Sequence, residues 1–154
     1  MDRQEINSAM DMLTHGVYVL GVHTPKKDNL MTAAWLCQTS SSPATLIVAV
    51  GSNHLTAQLI REAENFTVSV LTDGQSMEAK ACGSVSGRTA DKTAIVETSY
   101  TKSGNPVVAG AAAHLECRVL GEEAVYNHAL FIAEVVGATR YSDQVLTYHR
   151  KDFF

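Results

Sequence analysis

The sequence is poor in charge and has no excess of base: 18% of its 154 residues are Asp, Glu, Lys or Arg, and the formal net charge is -4. Without a basic face there is little to hold a phosphate backbone or anionic lipid, so neither nucleic acid nor a membrane surface is an expected partner. No apolar run reaches a membrane-spanning length. The opening stretch MDRQEINSAMDMLTH carries acids early and lacks the apolar centre and small-residue cleavage site of a signal peptide. The cytoplasm is therefore the expected location. Cysteine is sparse as well. Cys37, Cys82 and Cys117 are odd in number and far apart, which reads as reduced thiols packed as small apolar residues.

Motifs are missing too. There is no Gly-x-Gly-x-x-Gly after a strand, which excludes a Rossmann site for NAD or FAD. The segment GSVSGR, residues 83–88, has the glycines of a phosphate loop but not its closing Gly-Lys-Ser/Thr. His114 and Cys117 are the only close His/Cys pair, and alternation along a strand sends them to opposite faces, so no metal site is expected. No Cys-x-x-Cys module is present, so an iron–sulfur or rubredoxin centre would have to belong to another protein.

What is present is a 45% hydrophobic chain of the size of one domain, 1–154. Ile6, Met10 and Leu13 recur at helical spacing, and Gly16 is placed to stop that helix. GVYVLGVHT alternates, PKKDN turns, and LMTAAWLCQTS returns as an antiparallel strand. ATLIVAV, apolar on both sides, reads as a buried strand. GSNHLTAQLIREAEN then reads as a turn and a helix capped by Ser52 or Asn53, with Leu55, Leu59 and Ile60 on one face. FTVSVLT is strand, QSMEAKAC a short helix and GSVSGRTADK a loop. AHLECRVL, ALFIAEVVGATRY and VLTYH are strand again. Many strands with a few short helices favour a closed antiparallel barrel.

One region has the makings of a ligand site. Ala33 and Ala34 stand side by side in a strand that passes into Thr39, Ser40, Ser41 and Ser42, and small residues suit a strand that something flat must approach. The strand after it ends at Ser52, Asn53, His54 and Thr56, where a helix start offers free N–H groups and positive dipole to a phosphate. Each feature also has a plain reading: a solvated serine turn, Trp35 as core or interface filler, Arg88 and Lys92 as an ordinary loop.

Taken in order, GVYVLGV, NLMTAAWLCQTSSSPATLIVAV, SNHLTAQLIREAENFTVSVL and HALFIAEVVGA resemble the flavin reductase-like, FMN-binding split-barrel family, which includes flavoredoxins and the flavin domain of high-molecular-weight rubredoxins. The resemblance implies a mainly β, six-stranded antiparallel Greek-key split barrel with short flanking helices, forming a homodimer with FMN near the subunit interface. By the same resemblance Thr32, Ala33, Ala34 and Trp35 run under the isoalloxazine and bond its edge through their backbone. Ser40 and Ser41 contact the flavin or ribityl chain. Ser52, Asn53, His54 and Thr56 hold ribityl and phosphate, and Arg88 and Lys92 lie near the cofactor. His128 stands beside the flavin where nicotinamide enters, as the catalytic residue. Tyr126-Asn127-His128 and Ala133-Glu134-Val135 replace the family's usual Gly-Asp-His and Gly-x-Val, a departure that bears on direct use of NAD(P)H. The expected function is an FMN-dependent oxidoreductase taking electrons from NAD(P)H or a small redox protein. A flavoredoxin-like carrier without turnover and a cofactor-free interaction barrel are the alternatives.

Overall fold

A computed structural model describes residues 2–152. Helix α1 (Arg3–Met10) is capped by Asp2, whose carboxylate accepts from the Gln4 N–H at 3.0 Å. It ends at Asp11, well before Gly16, and buries none of its residues. The strands follow: β1 (Tyr18–His23), β2 (Asp28–Ala33), β3 (Leu36–Ser41) and β4 (Ala44–Gly51). Helix α2 (Leu55–Ala63), β5 (Asn65–Val70) and helix α3 (Ser76–Gly83) come next. The short strands β6 (Thr98–Tyr100) and β7 (Pro106–Val108) pair with each other, and the long strands β8 (Ala113–Val125) and β9 (His128–Arg140) form a hairpin. The expected strand at Val145–His149 is absent; Thr147 makes only an isolated bridge to Gly16.

One antiparallel sheet has the order β2-β1-β5-β8-β9-β4-β3. Its first and last members, β2 and β3, are consecutive in the chain and joined only through Ala34 and Trp35. Three Cα steps reach about 11 Å, whereas six flat inter-strand spacings would need about 29 Å. The sheet must therefore curl until its two edges meet. The seam so formed carries no ladder between β2 and β3 or β4; the chain crosses it with Trp35 C=O accepting from Ala49 N–H at 2.9 Å. The expected single strand from Leu30 to the serines is thus two strands, and the sheet has seven members where six were expected. The split-barrel class is as expected.

Period-two alternation fills the interior. Leu46, Val48 and Val50 of β4 meet Ala129, Phe131 and Ala133 of β9, Phe66 and Val68 of β5, and Leu20 and Val22 of β1. Ala57, Leu59 and Ile60 of α2 belong to the same core. A second cluster lies on the outer face of β1 and β2, where Val17, Val19 and Leu30 pack on Leu71, Ala79, Cys82 and Val108. Gly21 permits this second layer: a Cβ there would stand 1.9 Å from the Pro106 carbonyl oxygen.

Two thiols make stability depend on alkaline pH. Burial pushes Cys82 up to about 11 and Cys117 up to about 12, from 9.0 when free. A thiol whose folded pKa is raised stabilises the fold below its unfolded pKa and loses that contribution as pH rises toward the folded value. Each is expected to forfeit stability on the order of 1 kcal/mol between pH 8 and pH 10. Lys92, whose pKa burial lowers, works in the opposite direction as pH approaches its unfolded value. Urea midpoints at the two pH values check this: Cys117→Ala should flatten the pH dependence.

Candidate functional site

The open seam defines the site. In the β1–β2 hairpin, Thr24 and Lys27 exchange both backbone hydrogen bonds, at 3.0 and 3.2 Å. Alternation in an antiparallel pair then makes Val22–Asn29, Leu20–Met31 and Tyr18–Ala33 the bonded pairs. Leu30 and Thr32 are left with N–H and C=O directed away from β1. Because β2 pairs with no other strand, these groups line an unladdered edge. Such an edge can bond the rim of a flat heterocycle.

Beside this edge lies the start of α2. His54 is its cap, with no side-chain cap bond and no acid in the first turn. The first-turn N–H groups therefore have no capping partner, and the dipole there is uncompensated. His54 approaches β2, its Nδ1 lying 3.4 Å from Met31 Sδ. Asn53 accepts from Arg88 Nη1 through its carbonyl at 3.1 Å, which lays a guanidinium over the helix start. Ser52 donates its N–H to the Asn127 carbonyl at 3.0 Å, linking the same turn to the β8–β9 hairpin tip. On that tip His128 stacks on Trp35, with ring centroids 4.9 Å apart and planes tilted by 40°. Nδ1 of His128 lies 2.8 Å from Asn127 Oδ1. A carbonyl oxygen can only accept, so with the amide in this sense Nδ1 is the donor of the pair.

The fold thus gathers Thr32, Ala33, Ala34, Trp35, Ser52, Asn53, His54, Thr56, Arg88 and His128 into one neighbourhood. Their roles differ. Thr32 turns its hydroxyl to the Ala79 carbonyl at 2.6 Å, and Ala33 is buried in the barrel. Thr32 therefore presents backbone, not side chain, to the seam, whereas Ala33 spends its N–H and C=O on Tyr18 of β1. Thr56 is buried, its Oγ1 accepting from Asn29 Nδ2 at 3.0 Å, so it braces the helix start from within.

Three expected members stand elsewhere. Ser40 is paired with Thr45, six residues from the Gly51 end of β4, hence about 20 Å along the strand. Its hydroxyl bonds Pro43 C=O and Thr45 Oγ1, both at 2.6 Å, and Ser41 closes the same turn. Lys92 is buried and donates to the Cys82 carbonyl in the last turn of α3 at 2.8 Å. It caps a helix C-terminus and burial lowers its pKa. Sequence reasoning missed Asn29, which is buried between β2, α2 and the 84–91 loop. Among the described residues no group of His, Cys, Asp and Glu is placed to hold a metal. No helix described is long and apolar enough to cross a membrane.

These features define a mainly β barrel split at one seam, with an unladdered strand edge beside an uncapped helix start. The chain belongs to the flavin reductase like domain family, whose profile matches residues 10–154. Among solved structures it resembles the NADH:FAD oxidoreductase of Streptomyces globisporus, with 29% identity, a TM-score of 0.88, and 96% of this chain and 89% of that one covered. It also resembles flavoredoxin from Methanosarcina acetivorans, at 29% identity and a TM-score of 0.77, over 86% of this chain and 70% of that one. An FMN reductase (NADH) of Methylorubrum extorquens is 29% identical over 98% of this chain and 76% of its own. The family makes this chain a flavin reductase-like oxidoreductase.

Proposed function

We propose that the chain binds FMN in the seam and passes electrons from a nicotinamide donor through it to a diffusible acceptor. The observation that carries this is the meeting of the free β2 edge with the uncapped α2 start under Arg88. A flavin has the matching parts: a flat ring with polar rim groups and an anionic tail. Its ring, when bound, supplies the reversible acceptance of hydride or single electrons. The backbone of Leu30 and Thr32 would orient the ring, while the α2 N–H groups and Arg88 would hold the tail. One helix start with one guanidinium suits a single terminal phosphate, which favours FMN over FAD. NADH is the donor in the names of two relatives reported above.

Trp35 and His128 would wall the ring on the side open to solvent. With Nδ1 engaged by Asn127, His128 would present Nε2 to an incoming amide. His128→Ala is expected to leave FMN affinity within about twofold and to slow reduction by NADH about tenfold or more. Anaerobic stopped-flow reduction after a flavin titration checks both.

The outer faces of β8 and β9 and the hairpin tip expose Leu120, Val125, Tyr126 and Val136, and Trp35 lies nearby. A second copy covering this surface would shield the seam, so we assign the working form as a homodimer. Light scattering at micromolar concentration tests it. The three free cysteines fit a reducing compartment such as the cytoplasm. The functional test is to pass the FMN-loaded protein through gel filtration and add NADH or NADPH without oxygen. Bleaching at catalytic rate supports the reductase. Retained colour without bleaching would leave the electron-carrier reading in its place.

A further inference from the structure

We infer that Asn29 and Gly87 form a positioning pair that sets Arg88 against the start of α2, and so tunes the site for a flavin that carries a phosphate. The inference rests on the phosphate reading above. Asn29 lies on β2 and is 2% exposed. Its Nδ2 donates to Thr56 Oγ1 at 3.0 Å, whereas its Oδ1 has no hydrogen-bond partner. A buried acceptor without a donor works against stability, and such groups in folded proteins call for a reason. Turning the amide over would bury an unpaired NH2 with two donors in place of one acceptor, so the amide is held in this sense.

The reason lies at position 87. A Cβ built on Gly87 would stand 2.2 Å from Asn29 Oδ1 and 2.8 Å from its Cγ, so the amide occupies the space where any side chain would begin. Lys27, two residues earlier on the same strand side, donates its ammonium to the Gly87 carbonyl. Gly87 is thereby gripped from two sides by the β2 hairpin. The next residue, Arg88, reaches the Asn53 carbonyl, while the same Asn29 amide braces Thr56 in the first turn of α2. One side chain thus sets the distance between the loop that carries the guanidinium and the helix that carries the N–H groups. An anion held by both would feel any change in that distance; a flavin ring held at the β2 edge would not.

The experiment titrates FMN and riboflavin into the full-length parent, Gly87→Ala, Asn29→Ala and the double variant. Gly87→Ala is expected to weaken FMN about tenfold or more while riboflavin changes less than about twofold. Asn29→Ala should also lower the FMN-to-riboflavin affinity ratio. Added to Asn29→Ala, Gly87→Ala should have no further effect, because the atoms it collides with are gone. The inference is overturned if the single variants lose both flavins in proportion, if their effects add, or if FMN affinity does not change. Should Gly87→Ala fail to fold, the Asn29→Ala ratio and the folded double variant decide the matter alone. A parent that binds both flavins equally defeats the phosphate reading itself, a result distinct from a parent that discriminates and variants that still do.

Discussion

Arg88→Ala is expected to lower FMN affinity about ten- to hundredfold and to leave riboflavin affinity within about twofold. The guanidinium is exposed, makes one bond to the Asn53 carbonyl at 3.1 Å, and so has donors to spare for a phosphate. A hydrogen bond to a charged group is worth about 1.5 to 3 kcal/mol, which sets the size of the effect. The N–H groups of α2 remain in the variant, so binding should weaken and not vanish. Because the chain as a whole is acidic, at -4, its net charge supplies no long-range attraction for the anion. Raising ionic strength should accordingly weaken FMN in the parent more than in Arg88→Ala. Fluorescence titration with the two flavins at two salt concentrations measures both effects.

Phe131→Ala is expected to cost about 3 to 5 kcal/mol of folding stability. That is a large share of the roughly 5 to 15 kcal/mol by which a domain of this kind is stable. Phe131 is among the largest fully buried side chains and sits on β9 between β4 and β8, opposite Val48 and Glu122. The barrel cannot readily collapse around the loss, because its walls are ladders on both sides. Arg61, whose guanidinium lies 5.9 Å from the ring centroid, would also lose the face it covers. Its bond to Glu122 at the surface should survive. Urea denaturation gives the number, and a loss under 1 kcal/mol would mean that the interior of the barrel is not what holds the fold together.

Parts of this architecture are readable in the chain because they are local. The alternation of Leu46, Val48 and Val50, the apolar face of α2 and the turn of the first hairpin depend on residues a few positions apart. The break at Ala34 and Trp35 does not. The strand-like run from Leu30 to Leu36, polar only at Thr32, carries no turn residue, and only the need to cross the barrel seam interrupts it. The cap of α2 was misplaced for a related reason. Ser52 and Asn53 are better caps than histidine in isolation, but the backbone of Ser52 is taken by Asn127 and that of Asn53 by Arg88.

Charge and hydroxyl groups were the least legible. Lys92 in a polar loop gives no local sign that its ammonium will be buried on the end of α3. The serine run reads by composition as a solvated turn and gains a ligand role only through the family resemblance; its Ser40 hydroxyl is satisfied within its own turn. Asn29 is a single amide ahead of an apolar strand, and its importance depends on Thr56 and Gly87, which lie 27 and 58 residues further along. In contrast, the resemblance spread over four segments carried the flavin reading, because it compares the whole order of the chain and not one motif.

If the seam beside α2 holds a flavin with its anion end at the helix start, as proposed above, the phosphate must add to the affinity. A paired equilibrium titration of FMN and riboflavin into the flavin-free parent protein tests it most directly. Both flavins are expected to bind, FMN at least about tenfold more tightly. Equal affinities, or a protein that takes up neither flavin, would contradict it.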